Sequence, residues 1–214
     1  MATTISEGEG DDKLTFKFAD KWQVYKYDEP ITENFYHKIQ HLGLKAVDFI
    51  AISENTVLLI EVKYISANNK NSRIRLSAKD DDAIVERVRE KICTINLSNK
   101  EKEAVLIRPP RPYVAEEIIK KIKDTLNGLL ASYRNSDQKL SSFNKSIFID
   151  NKPIIFIFFI ERKGEQNLPE RFKPMASGLR IAIEQKIGFL GNIKVDVVNT
   201  NTLPQNLGIE VWVG

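Results

Sequence analysis

Two acids and a lysine, Asp48, Glu61 and Lys63, sit within KAVDFIAISENTVLLIEVKYI at residues 45–65. Two apolar, β-branched runs joined at Ser53-Glu54-Asn55-Thr56 read as a β-hairpin. With Glu54 and Asn55 as the two turn residues, Ser53 pairs with Thr56, and counting outwards sets Asp48 opposite Glu61. Facing residues on neighbouring antiparallel strands have Cβ atoms about 5 Å apart on one face. Alternation along the strand puts Lys63 on that face too. Two carboxylates held so close repel unless a proton or a cation stands between them. A strand that only had to fold gains nothing from the pairing. Hard oxygen ligands in this arrangement suit a divalent cation such as Mg²⁺. The competing reading is a solvated strand face carrying a Glu–Lys pair.

Asp48 followed by Glu61-Val62-Lys63 resembles the motif of the PD-(D/E)XK nucleases, whose fold is called restriction-endonuclease-like. The resemblance covers residues 28–108. It implies an α/β core with a mixed central sheet flanked by helices, and leaves residues 109–214 as a C-terminal extension of further α/β elements. It also implies Mg²⁺ or Mn²⁺ held by Asp48 and Glu61, the Val62 carbonyl as an added metal ligand, and Lys63 positioning or activating the attacking water. Many members carry a Glu on the preceding helix, and Glu33 is the counterpart here. The family commonly has a strand between that helix and the Asp strand, whereas here only His41, Leu42 and Gly43 intervene.

The chain supplies its own control, because Asp150 and Glu161-Arg162-Lys163 repeat the letters. Asp150-Asn151-Lys152-Pro153 is itself turn-like. Asp150 then sits at a tip while Glu161 lies far along the next strand, so the two cannot face each other.

Composition narrows the class. With 214 residues, 42% apolar and 29% charged, the chain can bury a sizeable core in one domain. A net charge of +3 is too small by itself to mark a nucleic-acid binder, so positive potential must come from local clustering. The single cysteine, Cys93, cannot form an intramolecular disulfide, which points to a reduced, cytoplasmic setting. Met1–Asp12 is polar and acidic, unlike a secretory leader, and reads as a disordered tail before a single α/β domain at 13–214. The longest apolar run, Ile154–Ile160, is far too short to cross a membrane. There is no Gly-rich phosphate loop, no Ser–His or Cys–His signature, and too little histidine for a zinc site.

Among the elements that must position the triad, Lys13–Phe18 and Trp22–Tyr27 read as a small hairpin about Ala19-Asp20-Lys21. A helix then starts at Asp28-Glu29-Pro30, with Ile31, Phe35 and Ile39 as its apolar stripe and Gly43 as its stop. Glu33, His37 and Gln40 line another face of it, which taken alone is a solvated or capping face. After the motif hairpin comes a loop, Ser66–Lys79, with Lys70, Arg73, Arg75 and Lys79 and no acid. Asp80-Asp81-Asp82 caps a helix bearing Ile84, Val88, Ile92 and Ile95. Cys93 on that helix is an inert or packing residue. Ala104–Ile107 reads as a short strand reached by a crossover, and Tyr113–Tyr133 as an amphipathic helix. Residues 134–146 read as loop, Ile147–Ile149 and Pro153–Ile160 as strands, Arg171–Phe189 as a helix, and Ile193–Val198 and Ile209–Val213 as closing strands. The apolar Pro153–Ile160 is expected to be central.

The expectation is a Mg²⁺-dependent nuclease hydrolysing phosphodiester bonds in DNA, with Lys70, Arg73, Arg75 and Lys79 against the backbone. The alternative is a non-catalytic nucleic-acid-binding or assembly subunit that retains the fold, with a second copy or another protein as partner.

Overall fold

The computed structural model describes residues 2–10, 13–29, 34–65, 76, 82–105 and 113–213. Strand β1 (Thr3–Glu7) pairs antiparallel with β2 (Leu14–Phe18), Thr3 opposite Phe18 and Glu7 opposite Leu14. Residues 3–7 are therefore not a disordered tail. Their Thr/Ile content suits a strand, Ile5 packs against an apolar cluster, and the Ser6 and Thr15 hydroxyls meet at 3.1 Å.

The expected hairpin between residues 13–18 and 22–27 does not form. The chain turns at Ala19–Trp22, where Trp22 N donates to the Ala19 carbonyl at 3.0 Å, but then leaves for another sheet. β3 (Gln23–Lys26) pairs with β4 (Phe49–Ile52) instead. The reason is burial: Phe16, Phe18 and Trp22 all enter one apolar cluster together with residues of β4, so the two segments face each other across it rather than lying side by side. Between β3 and β4, helix α1 (Phe35–Ile39) continues into a tight 3₁₀ turn and stops at Gly43, whose φ of 76° lies in the left-handed region that favours glycine.

β4 and β5 (Val57–Ile65) form the motif hairpin. Phe49 lies opposite Ile60, Ile52 opposite Val57, and Ser53 N donates to the Thr56 carbonyl at 2.9 Å. Beyond it come α2 (Asp82–Thr94) and α3 (Asn99–Ala104). Ala104 ends a helix rather than opening a strand, because Ser98 and Glu101 form a capping box that fixes the helix start. The remainder of the expected strand, 106–107, lies outside the described residues.

Helix α4 (Val114–Arg134) buries Val114, Ile118, Ile122, Thr125 and Leu129 along one stripe. α5 (Ser141–Asn144) and a π-helical turn at Lys145–Ile149 replace the loop and the strand expected there. Asp150 N closes that turn on the Lys145 carbonyl at 2.9 Å. A three-residue apolar run carries no period that separates helix from strand.

β6 (Ile154–Arg162) runs parallel to β5, α6 (Pro169–Ile187) crosses over, and β7 (Ile193–Val198) runs parallel to β6. β8 (Ile209–Val213) returns to pair with β2. Among the described residues the strands make a five-stranded mixed sheet, β3-β4-β5-β6-β7, and a three-stranded sheet, β1-β2-β8. Residues from both sides of position 108 thus share one sheet. One face of the larger sheet packs on α4 and α6 through Leu59, Phe156, Phe158, Ile118, Ile122 and Leu179. The other face packs on the smaller sheet through Leu58, Ile60, Phe159, Leu14 and Phe16. Odd-numbered residues of β5 consequently look toward α4. No described helix is long and apolar enough to cross a membrane.

Candidate functional site

The hairpin register, continued one step past Phe49 and Ile60, sets Asp48 opposite Glu61. Both are buried, at 4% and 1% exposure. Glu61 shares the α4 face with Val57 and Leu59, and Asp48 turns the same way, because both reach one ammonium. Lys121 of α4 holds its Nζ 2.7 Å from each Glu61 carboxylate oxygen and 3.7 Å from Asp48 Oδ1. Lys63 is on this face too, 3.5 Å from Glu61 Oε1 and 2.9 Å from Glu117 Oε1. The three residues singled out from the sequence therefore meet in one place.

Four other side chains join them. Asp48 accepts the backbone N–H of Val62 on Oδ2 at 2.5 Å and its carbonyl accepts Tyr27 N–H at 2.9 Å. The second contact brings the next residue, Asp28, alongside, and the two carboxyls share a hydrogen bond. Glu7, at the end of β1, lies close enough to raise the pKa of both and is 3.0 Å from Lys26 Nζ. Lys121 and Glu117 stand four residues apart on α4, one helical turn, so they present as neighbours to the sheet.

Local structure holds this helix in place. Lys45 N donates to Asp124 Oδ2 at 2.8 Å and Val47 N to Thr125 Oγ1 at 3.0 Å, tying α4 to the segment that enters β4. Tyr27 lies so close to the helix that a Cβ on Gly128 would stand 2.5 Å from its hydroxyl oxygen, so only glycine fits there.

Burial dominates the electrostatics. It pushes Glu61 up to about 8, with the charge of Asp48 adding to the effect and Lys121 and Lys63 opposing it. Asp28 rises to about 7, again mainly through burial and then through Asp48. Asp48 is raised by burial against the pull of Lys121 and the Val62 N–H. Burial works against the charge of Lys121, but Glu61 and Asp48 outweigh it and its pKa is raised. The cluster is short of positive charge.

As a donor set, the carboxylates of Asp48 and Glu61 are hard oxygens suited to Mg²⁺ or Mn²⁺. The Val62 carbonyl qualifies as well. On an extended strand the N–H and C=O of one residue point to the same edge, and the Val62 N–H points at Asp48. Among the described residues, no three His, Cys, Asp or Glu side chains form a metal cage by themselves. The place between the two carboxylates belongs to Lys121 Nζ.

Glu33 and the basic residues Lys70, Arg73, Arg75 and Lys79 lie outside the described residues. His37 is paired with Gln40 at 2.7 Å and Cys93 is exposed, neither of them at the cluster. The repeated motif is split: Asp150 bonds Lys145 at 2.7 Å before β6 begins, while Glu161 is buried near the far end of that strand. Sequence reasoning missed Glu7, Asp28, Glu117 and Lys121. Asp28 was within reach once β3 was paired with β4. Glu117 and Lys121 carry only the signal of two charges one turn apart, flanking an apolar stripe.

Compared with known proteins, the chain matches no family model, no curated protein and no solved structure.

Proposed function

We propose that the protein is a divalent-metal-dependent nuclease of restriction-endonuclease-like fold, cutting phosphodiester bonds in DNA. The observation that carries this is the buried, facing pair Asp48 and Glu61, with Lys63 on the same face and cations as their main partners. Burying two adjacent carboxylates is costly unless positive charge is close by. Asp48 and Glu61 would hold Mg²⁺ or Mn²⁺, with the Val62 carbonyl as a third oxygen. A metal bound there would neutralise charge on a phosphate and make a coordinated water more acidic. Lys63 is 21% exposed at its side chain, which leaves its ammonium able to meet a phosphate oxygen or orient the attacking water. Glu117 holds that ammonium in position at 2.9 Å. Lys70, Arg73, Arg75 and Lys79 follow the Lys63 strand directly in sequence and would contact the flanking backbone.

One observation favours the second reading, a non-catalytic nucleic-acid-binding or assembly subunit. Lys121 stands where a metal would, and an ion pair of that kind can replace a lost metal permanently.

Cleavage of plasmid and of end-labelled DNA, with RNA as control, in Mg²⁺, Mn²⁺ or EDTA tests the proposal. The expected result is metal-dependent cutting that Lys63→Ala lowers while leaving binding in Ca²⁺ nearly unchanged. Replacing Arg73 and Arg75 by Ala should weaken binding to all sequences and flatten the slope of log K against log salt by up to about two units. Binding without cutting under every condition would support a nucleic-acid-binding subunit, and no binding even at low salt would overturn the nuclease reading and leave the assembly role.

A further inference from the structure

Lys121 differs from the exposed ion pairs in that it stands between two buried carboxylates. Its ammonium is equidistant, at 2.7 Å, from both oxygens of Glu61 and reaches toward Asp48 at 3.7 Å. Its side chain is only 16% exposed, so the contact is made away from bulk water. The backbone of α4 cannot drift away, because Asp124 and Thr125 are bonded to the chain at Lys45 and Val47. The tip of a lysine can still move by rotating its own side-chain bonds, since its stem is long and unbranched. Lys63 is 3.5 Å from the same Glu61 but is held more closely by Glu117, at 2.9 Å. The two lysines thus have different partners: Lys63 is anchored beside the carboxylate pair, and Lys121 is inserted in it.

We propose that Lys121 is a tethered counter-cation that competes for the Asp48–Glu61 carboxylates and so sets the affinity of the site for a divalent metal. This rests on the metal-site reading above. In the metal-free protein, Lys121 offsets part of the charge of the two carboxylates and eases their mutual repulsion. Loading the site requires its ammonium to withdraw, and Glu117, one turn back on the same helix, and Asp124, three residues on, are carboxylates of that helix. Lys121 thereby makes the metal-free protein stable at the expense of metal affinity. It would also discriminate against weakly held ions, because only a cation that outbids an intramolecular ammonium enters.

The test is calorimetric titration of Mn²⁺ into the full chain as wild type, Lys121→Met and Lys121→Gln, alongside Asp48→Asn. The glutamine variant keeps a hydrogen-bond donor to Glu61 and serves if the methionine variant folds poorly. Lys121→Met or Lys121→Gln should bind Mn²⁺ about ten-fold or more tightly than wild type, since the ion no longer has to displace a like charge. Tight binding by the variants with none by wild type would support the inference in its strongest form and assign wild type to the non-catalytic reading. Equal or weaker binding by both variants, with wild-type binding lost in Asp48→Asn, would overturn the inference and leave the metal site standing. No binding by any protein would overturn both. Lysine acetylation footprinting on wild type gives a readout that needs no variant: Lys121 should react faster with Mn²⁺ than in EDTA, and unchanged reactivity in a protein that binds Mn²⁺ would count against its displacement.

Discussion

Glu61 and Glu161 are near twins in sequence, each followed two residues later by a lysine, and they lie on adjacent parallel strands of one sheet. Both are buried, at 1% and 5% exposure. Their partners differ completely. Glu161, on the face away from α4, accepts from the Thr200 N–H at 3.1 Å, the Thr200 hydroxyl at 3.0 Å, and the Asn167 side-chain amide. Asn167 is in turn bonded to Asn199 at 2.8 Å. These donors are neutral, one a backbone N–H and two on short side chains, so Glu161 latches the turn after β6 to the turn after β7. Glu61 instead faces a second carboxylate and is met by two ammonium groups on rotatable stems. A buried carboxylate satisfied by such short neutral donors is a fastener, whereas one satisfied only by movable cations can exchange them for a ligand.

On the nuclease reading, the largest effect that separates the two is on catalysis. Glu61→Gln should lower metal-dependent cleavage by about 10³-fold or more, the scale of removing a group that acts on transition-state charge. Glu161→Gln, purified as folded protein, should stay close to wild type. Comparable losses in both, measured as initial rates on the same DNA, would erase the distinction.

Stability should show the reverse order. Glu161→Ala leaves three donors without their acceptor, at about 1–3 kcal/mol each before relaxation and water entry, so a net cost of about 2–4 kcal/mol is expected. Asp48→Asn removes one of two mutually repelling charges and keeps an acceptor for the Val62 N–H. Its metal-free stability should fall by less than about 1 kcal/mol or rise. Urea unfolding in EDTA compares them directly, and a larger loss for Asp48→Asn than for Glu161→Ala would mean that the site is the structural element.

These elements differ in how far the sequence revealed them. The Asp48–Glu61 register was legible because a two-residue turn and strict alternation are local rules, and β4 and β5 obey both. Long, periodic elements such as α4, α6 and β6 were legible for the same reason. Pairings between distant segments were not. Nothing local in Thr3–Glu7 or Leu14–Phe18 says that β8, from the other end of the chain, completes their sheet. Nothing in Val57–Ile65 says that its parallel neighbour is β6 rather than residues 104–107. Lys121 was invisible for this reason: its meaning depends on the docking of α4, and along the helix it is one more lysine beside Ile122.

A smaller effect is the pH response of the metal-free protein. Asp28 and Glu61 titrate in the folded chain at about 7 and about 8, well above the 3.8 and 4.5 of free carboxyls. Each therefore contributes stability that is complete below its unfolded value and is lost as pH rises through the folded one. In EDTA, stability should fall between pH 5 and pH 8.5, and Asp28→Asn should flatten the decline. Parallel pH profiles for wild type and Asp28→Asn would show that this carboxyl does not bear on the cluster.

On the metal-site reading, the Asp48–Glu61 pair is a cation site whose present occupant can leave. Anomalous diffraction from crystals soaked in Mn²⁺ tests it most directly. A peak is expected between the Asp48 and Glu61 carboxylates, beside the Val62 carbonyl, with Lys121 Nζ withdrawn from Glu61. A peak elsewhere, or Lys121 still bonded to both Glu61 oxygens under saturating Mn²⁺, would contradict it.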